Sequence, residues 1–195
     1  MEEKAEEFKL LGGDVRVVPI KVQPASSTKI RMMLFQNLDV SEYLDNAVEE
    51  YIFGNKVYLN GGAKAMIEEV RQIDKLKLTE TRFFHTECVA KQARLLAKQY
   101  GADKDVACLC GYLHDIMKCL PKQELLHYFN RNGILLSDIE KKIPATWHAI
   151  AGALYCEQKL GIENKEIIDA VRYHTTGRKD MTLMEKIVFI ADATG

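Results

Sequence analysis

The sequence predicts a mainly α-helical chain, and three kinds of observation support this fold class. From Ala63 onward, apolar residues recur at steps of three and four, the period of an amphipathic helix. Capping residues open these segments, and glycine or proline ends them. The alternating pattern of a strand is clear in one place, residues 15–22. We therefore expect a helical bundle at 63–195, preceded by a small α/β segment at 1–60.

The N-terminal segment is predicted to hold one strand and two helices. Pro19 restricts the strand at 15–22 to an edge position. Hydroxyl residues at 26–28 precede an apolar-periodic run, as at a helix N-terminus. Residues 46–49 have the pattern of a capping box, and the helix that they open stops near Gly54. The flexible sequence Asn60-Gly-Gly-Ala63 then marks the predicted domain boundary.

The remaining helices are predicted in order from their start and stop signals. Asp103 or Asp105 is expected to cap one of these helices, and Asn164 another. Gly101 supplies a C-terminal stop, and residues 182–185 form a capping box. His114 and Asp115 fall in the last turn of a helix that Pro121 terminates. A loop is expected between Gly133 and Pro144. The predicted helices cover residues 83–100, 103–120, 122–132, 146–160, 164–174 and 182–192.

Composition and charge exclude several classes of function. The chain has 195 residues, 47% hydrophobic and 28% charged, with a formal charge of −1. This near-neutral balance argues against a nucleic-acid partner, which favours a basic surface. No segment approaches the roughly 20 apolar residues of a spanning helix, and the acidic N-terminus differs from a signal peptide. We expect a cytoplasmic protein without a membrane partner, whose five cysteines are reduced core residues.

Histidine and aspartate recur at the inward or terminal turns of five successive helices. Imidazole and carboxylate are the ligands of first-row transition metals, and a helical bundle can direct them into one pocket. Asp115 interrupts an apolar stretch, and a buried carboxylate requires a cation. Each histidine alone is more often a hydrogen-bonded core residue, and His127, among charged neighbours, is expected to be a surface or packing residue. The candidate ligands are His85, His114, Asp115, His148, His174 and Asp192.

The segments around these residues resemble the HD-domain metal-dependent phosphohydrolases over about residues 80–195. The similarity is to the YqeK-like branch, which contains symmetrical bis(5′-nucleosyl)-tetraphosphatases. Family members usually continue beyond the last aspartate, so the domain is expected to be C-terminally short. The matching segments are Gly-Tyr-Leu-His114-Asp-Ile-Met-Lys118, Trp-His148-Ala-Ile-Ala-Gly152, Arg-Tyr-His174-Thr-Thr-Gly177 and Lys-Ile-Val-Phe-Ile-Ala-Asp192.

The resemblance implies two divalent transition-metal ions, expected to be iron. One ion would be held by His85, His114, Asp115 and Asp192, and the second by His148 and His174, with Asp115 bridging. The implied reaction converts diadenosine tetraphosphate to two ADP through a metal-bound hydroxide. Asp115 and Lys118 would be catalytic, although Lys118 could instead stabilise a helix C-terminus. Substrate binding is assigned to Lys118, Thr175, Thr176 and Arg178. The partner is a small nucleotide, and a homodimer is left open.

Three alternatives stay open for the helical domain. It could act on another nucleotide, such as a deoxynucleotide, a cyclic nucleotide or an alarmone, since fold and motifs do not fix the substrate. It could bind metal and nucleotide without turnover, or serve as a structural helical module.

The N-terminal segment has a second resemblance, over about residues 15–60. Residues 26–31, Ser-Ser-Thr-Lys-Ile-Arg, together with residues 43–52, resemble the C-terminal end of bacterial nicotinate-nucleotide adenylyltransferases. In that family the segment binds nucleotide at a helix N-terminus. Because this sequence lacks the His-x-Gly-His motif and the upstream strand–helix units, we expect a remnant without that activity, and a solvated Arg31.

Overall fold

The computed structural model describes residues 27–35, 38–54 and 59–195, and within these ranges the chain forms helices and no strand. The mainly α fold class is confirmed, whereas the strand predicted at 15–22 lies outside the described residues. A 3₁₀ turn at Pro144–Thr146 precedes α8. The helices are α1 Ser27–Phe35, α2 Asn46–Gly54, α3 Leu59–Lys77, α4 Glu80–Tyr100, α5 Lys104–Leu113, α6 Lys122–Arg131, α7 Asp138–Lys142, α8 Trp147–Lys159, α9 Lys165–Tyr173 and α10 Leu183–Thr194.

Several predicted capping residues are confirmed. Asp103 accepts hydrogen bonds from the first backbone amides of α5, and Asn164 does so for α9. Thr182 and Glu185 form the capping box of α10. Gly101 ends α4 with φ of 76°, in the left-handed region that glycine tolerates. Local side-chain chemistry therefore defines where these helices begin and end.

Four predicted details differ from the structure. The helix α5 ends at Leu113, so His114 and Asp115 lie in the tight turns that follow it. The loop predicted before Pro144 contains the short helix α7, which has its own capping box. The N-terminus of α2 is capped by Asp45 and not by Asn46, because the amide of Ala47, the second residue of the helix, donates to Asp45 Oδ1 over 2.9 Å. The Gly-Gly pair predicted as a linker lies inside α3.

The main core lies between α4, α5, α8, α9 and α10, which pack on one another in neighbouring pairs. A smaller apolar cluster, formed by Leu34, Val40 and Ile52, belongs to the N-terminal segment, whose helix α1 packs on α3. Of the five free cysteines, Cys119 is exposed, contrary to the expected core position. None of the helices described is both long and apolar enough to cross a bilayer.

The helices α4 and α5 approach each other closely at Gly111. A Cβ atom on Gly111 would lie 2.5 Å from the Ala90 Cα atom, well inside van der Waals contact. Glycine at this position therefore lets the two helices lie close together, which brings the end of α5 next to the start of α4.

We predict that Gly111→Ala destabilises the fold by about 1–3 kcal/mol, because the added methyl group must push α4 and α5 apart. Thermal unfolding followed by circular dichroism measures the effect. Gly152→Ala is the matched control with a smaller expected loss, since its Cβ would first meet the Val171 Cγ1 atom at 3.2 Å. A Gly111→Ala variant as stable as the wild type would contradict this packing argument.

Asp74 on α3 is a buried carboxyl group without a partner. Its side chain is 0% exposed, and neither carboxyl oxygen has a hydrogen-bond partner. Burial raises the pKa of Asp74 to about 8, although the positive charges of His114 and Lys77 partly oppose this shift. Asp74 is therefore mostly protonated in the folded protein at neutral pH.

Between the ordinary carboxyl pKa and about 8, the folded chain holds a proton on Asp74 that the unfolded chain has released. Stability must therefore fall as pH rises through this window. We predict that Asp74→Asn reduces this fall, measured as the free energy of unfolding by urea at pH 5 and pH 8. Asp138→Asn, at a side chain 91% exposed, is the control and should leave the pH dependence unchanged. Equal pH dependence in wild type and Asp74→Asn would refute the assignment.

Candidate metal centre

The structure brings the six candidate ligands together at one end of the bundle. They are positioned by the ends of α4, α5, α8, α9 and α10. Their ligand atoms form two groups, within each of which all atoms lie within 4.8 Å of one another. The first group is His85, His114 and Asp192, and the second is Asp115, His148 and His174.

Three of the imidazole rings are fixed by the backbone of their own turn. The Nδ1 atoms of His114, His148 and His174 lie 2.6, 2.8 and 2.8 Å from a carbonyl oxygen three residues earlier in the chain. Because a carbonyl oxygen only accepts, Nδ1 must carry the proton in each ring. In a neutral ring the lone pair is then on Nε2, which faces the other candidate ligands.

The second group places imidazole nitrogens and a carboxylate oxygen, all of which can carry lone pairs, close together. The Nε2 atoms of His148 and His174 are 3.2 Å apart, and His148 Nε2 lies 3.1 Å from Asp115 Oδ1. All three side chains are almost fully buried. Lone pairs that face one another in a buried site repel, and a cation among them replaces this repulsion with coordination. The residues therefore fit a divalent metal ion.

Asp115, a member of the second group, also lies beside the first group. Asp115 Oδ2 lies 3.4 Å from His114 Nε2, which is in turn 3.5 Å from Asp192 Oδ1. His85 Nε2 lies 3.0 Å from the same Asp192 oxygen. His114 Nε2 and Asp115 Oδ1 are both buried without a hydrogen-bond partner. Asp115 thus presents one oxygen to each group, as a carboxylate that bridges two ions must.

The electrostatics keep both carboxyl groups ionised. Burial opposes ionisation of Asp115, but the imidazoles of His114, His148 and His174 around it hold its pKa far below the usual range. The same balance, with His114 and His85 as partners, lowers the pKa of Asp192. Burial also disfavours the charged form of His114, yet the two carboxylates raise its pKa to about 9. A metal ion on His114 must therefore displace a proton.

Two cationic side chains flank the carboxylate of Asp115. Lys118, a predicted catalytic residue, has its Nζ atom 3.6 Å from Asp115 Oδ1 and 3.2 Å from His148 Nε2. Arg82, which the sequence reasoning missed, has its Nη1 atom 2.9 Å from Asp115 Oδ2. The available signal was its spacing of three residues before His85, which places both on one face of α4.

The other predicted substrate-binding residues have different surroundings. Arg178 pairs with Glu185 (2.6 Å) and Asp169 (3.0 Å), so its guanidinium joins α9 to α10. Thr176 is exposed and its hydroxyl donates to the Gly177 carbonyl, whereas the Thr175 hydroxyl is buried without a partner. His127 is exposed on α6, which confirms its predicted surface position.

The chain is similar in structure and in sequence to known proteins. A crystal structure described as a predicted HD superfamily hydrolase involved in NAD metabolism, from Clostridium acetobutylicum, superposes with a TM-score of 0.61 at 31% identity, covering 64% of this chain and 66% of that one. A Mycoplasma genitalium protein named "Probable nicotinate-nucleotide adenylyltransferase/Ap4A hydrolase" is 30% identical over 149 residues, 75% of this chain and 38% of that protein.

Two further relatives carry the name symmetrical bis(5′-nucleosyl)-tetraphosphatase. The Bacillus subtilis protein is 38% identical over 125 residues, 64% of this chain and 67% of that protein. The Halalkalibacterium halodurans protein is 41% identical over 121 residues, 62% of this chain and 64% of that protein. The chain thus spans about two thirds of the length of these relatives. The HD-domain family model matches residues 82–194, which is more than half of this chain. The chain therefore belongs to the HD-domain family of hydrolases.

Proposed function

We propose that this chain is a metal-dependent hydrolase that cleaves diadenosine tetraphosphate symmetrically into two ADP. The observation that carries the proposal is the pair of ligand groups, with Asp115 in the second group and 3.4 Å from His114 of the first. His85, His114, Asp115 and Asp192 would hold one divalent ion, expected to be iron, and Asp115, His148 and His174 would hold the other. The names of the relatives from B. subtilis and H. halodurans supply the substrate and the symmetrical cleavage.

Divalent ions at such a site would supply Lewis acidity and acidify water, so that hydroxide is available near neutral pH. The contribution of the chain is to hold the ligands in place. Three rings are anchored to backbone carbonyls, and Asp115 stays ionised because of the imidazoles around it. A site ordered in this way needs little reorganisation when the charge of the substrate changes.

Symmetrical cleavage adds one water molecule across the central phosphoric anhydride. A phosphorus–oxygen bond forms to the incoming oxygen, the bond to the bridging oxygen breaks, and the products are two ADP. Negative charge develops on the leaving phosphate oxygen. Lys118 and Arg82 are each about one third exposed beside Asp115, a position from which a cation can stabilise that charge. Thr175 and Thr176 stay candidates for substrate contacts, whereas Arg178 would position the turn that carries them.

The proposed division into an N-terminal remnant at 1–60 and an HD domain at 63–195 is supported by two kinds of relative, those named as tetraphosphatases and one whose name joins an adenylyltransferase to an Ap4A hydrolase. The M. genitalium match is longer than the HD-domain match, and the name of that protein joins the two activities. The packing of α1 on α3 would help to keep the N-terminal segment folded.

We predict that the purified chain converts diadenosine tetraphosphate to ADP as sole product, measured by anion-exchange chromatography. His148→Ala and His174→Ala should each lower the rate by about 100-fold or more, because each removes a ligand from the buried group. The far-UV circular dichroism of both variants should remain helical. His127→Ala, at an exposed histidine of α6, is the matched control and should keep full activity.

Full activity in both ligand variants would refute the role of the second group. ATP and AMP as products would refute symmetrical cleavage. Turnover of a deoxynucleotide, a cyclic nucleotide or an alarmone in place of diadenosine tetraphosphate would change the substrate and keep the enzyme class. A chain that binds metal and nucleotide without any turnover would be a sensor.

We predict close to two transition-metal ions per chain, mainly iron, in protein purified without oxygen. Inductively coupled plasma mass spectrometry measures this metal content. Asp115→Asn should lower the content to less than one ion, because Asp115 serves both groups and an amide oxygen is a weaker ligand. Asp138→Asn, at an exposed aspartate, should retain both ions. Absence of metal from the wild type would contradict the proposed centre.

A further inference from the structure

Arg82 makes the most direct cationic contact of the candidate metal centre. Its Nη1 atom lies 2.9 Å from Asp115 Oδ2, and its side chain is 35% exposed whereas Asp115 is 1% exposed. The guanidinium therefore enters the centre from the solvent side. It has no place among the ligands or in the resemblance described above.

The oxygen that Arg82 contacts is one that the first ion would need. Asp115 Oδ2 also faces His114 Nε2, at 3.4 Å, so it is the Asp115 oxygen that belongs to the first group. A guanidinium and a divalent ion on the same oxygen would repel each other. That repulsion is weakly screened where the carboxylate is buried.

The charge balance of the centre also favours an anion as the partner of Arg82. Two carboxylates, Asp115 and Asp192, are already balanced by the cations of Arg82 and Lys118 when the imidazoles are neutral. Two divalent ions would leave a large surplus of positive charge. An anion with several charges, such as a polyphosphate, would remove this surplus, and the planar fork of an arginine binds phosphate oxygens in pairs.

We propose that Arg82 competes with the first metal ion for Asp115, and that a bound polyphosphate relieves this competition by accepting the guanidinium. Metal and phosphate binding are then coupled through one side chain, each strengthening the other. Only the choice of a nucleotide polyphosphate as the anion rests on the proposed function, because the competition for Asp115 involves no nucleotide.

The first test measures Mn²⁺ binding to the full chain by isothermal titration calorimetry, without nucleotide. Arg82→Gln should bind the first ion about tenfold more tightly than the wild type, since a charged hydrogen bond to Asp115 no longer competes. Arg82→Met, which keeps the apolar stem, should behave alike and serves if the Gln variant does not fold. Arg71→Gln is the matched control, because Arg71 is also 35% exposed and pairs with Glu87. Unchanged or weaker Mn²⁺ binding in the Arg82 variants would overturn the competition and leave Arg82 as a support for Asp115.

The second test measures ADP binding at saturating Mn²⁺. Arg82→Gln should bind ADP about tenfold more weakly, whereas Arg71→Gln should match the wild type. Equal ADP affinity in wild type and Arg82→Gln would overturn the proposal that the guanidinium of Arg82 leaves Asp115 and binds phosphate. If the chain failed to hydrolyse diadenosine tetraphosphate, the Mn²⁺ result would still decide whether Arg82 and metal compete.

Discussion

The buried carboxylate of Asp115 is the constraint on which the rest of the structure depends. A charge that is 1% exposed must be compensated, and the fold places imidazole rings around it from helices that are distant in sequence. His114 comes from the end of α5, His148 from α8 and His174 from the end of α9. The close packing of α4 on α5 at Gly111 and the ion pairs of Arg178 between α9 and α10 keep these helix ends at the required separation.

Much of this arrangement could be predicted from the sequence because it depends on local chemistry. Caps such as Asp103 and Thr182, the apolar period and the left-handed Gly101 are properties of short segments. The six candidate ligands could be found because histidine and aspartate are rare on apolar helix faces. The quoted motifs then supplied the family, which the match over residues 82–194 confirms.

Features that depend on tertiary packing could not be predicted in this way. Arg82 looks like an ordinary helical charge until α5 places Asp115 beside it. The ion pairs of Arg178 could not be predicted, because its partners, Asp169 and Glu185, lie on two different helices. Asp74 follows the charge pattern of an exposed helix, and only the packing of α3 on α5 shows that it is buried. The short helix α7 was missed because five residues carry too weak a periodic signal.

The hydrogen bonds from three imidazole rings to the backbone have a consequence for affinity. A side chain that is immobilised on binding loses conformational entropy, at a cost of about 0.5–1.5 kcal/mol. His114, His148 and His174 are already held by carbonyl groups of their own turns, so that this ordering takes place when the chain folds. The strength of cation binding is then partly a property of the ends of α5 and α9 and the start of α8. Substitutions that loosen those turns would weaken binding without altering any ligand.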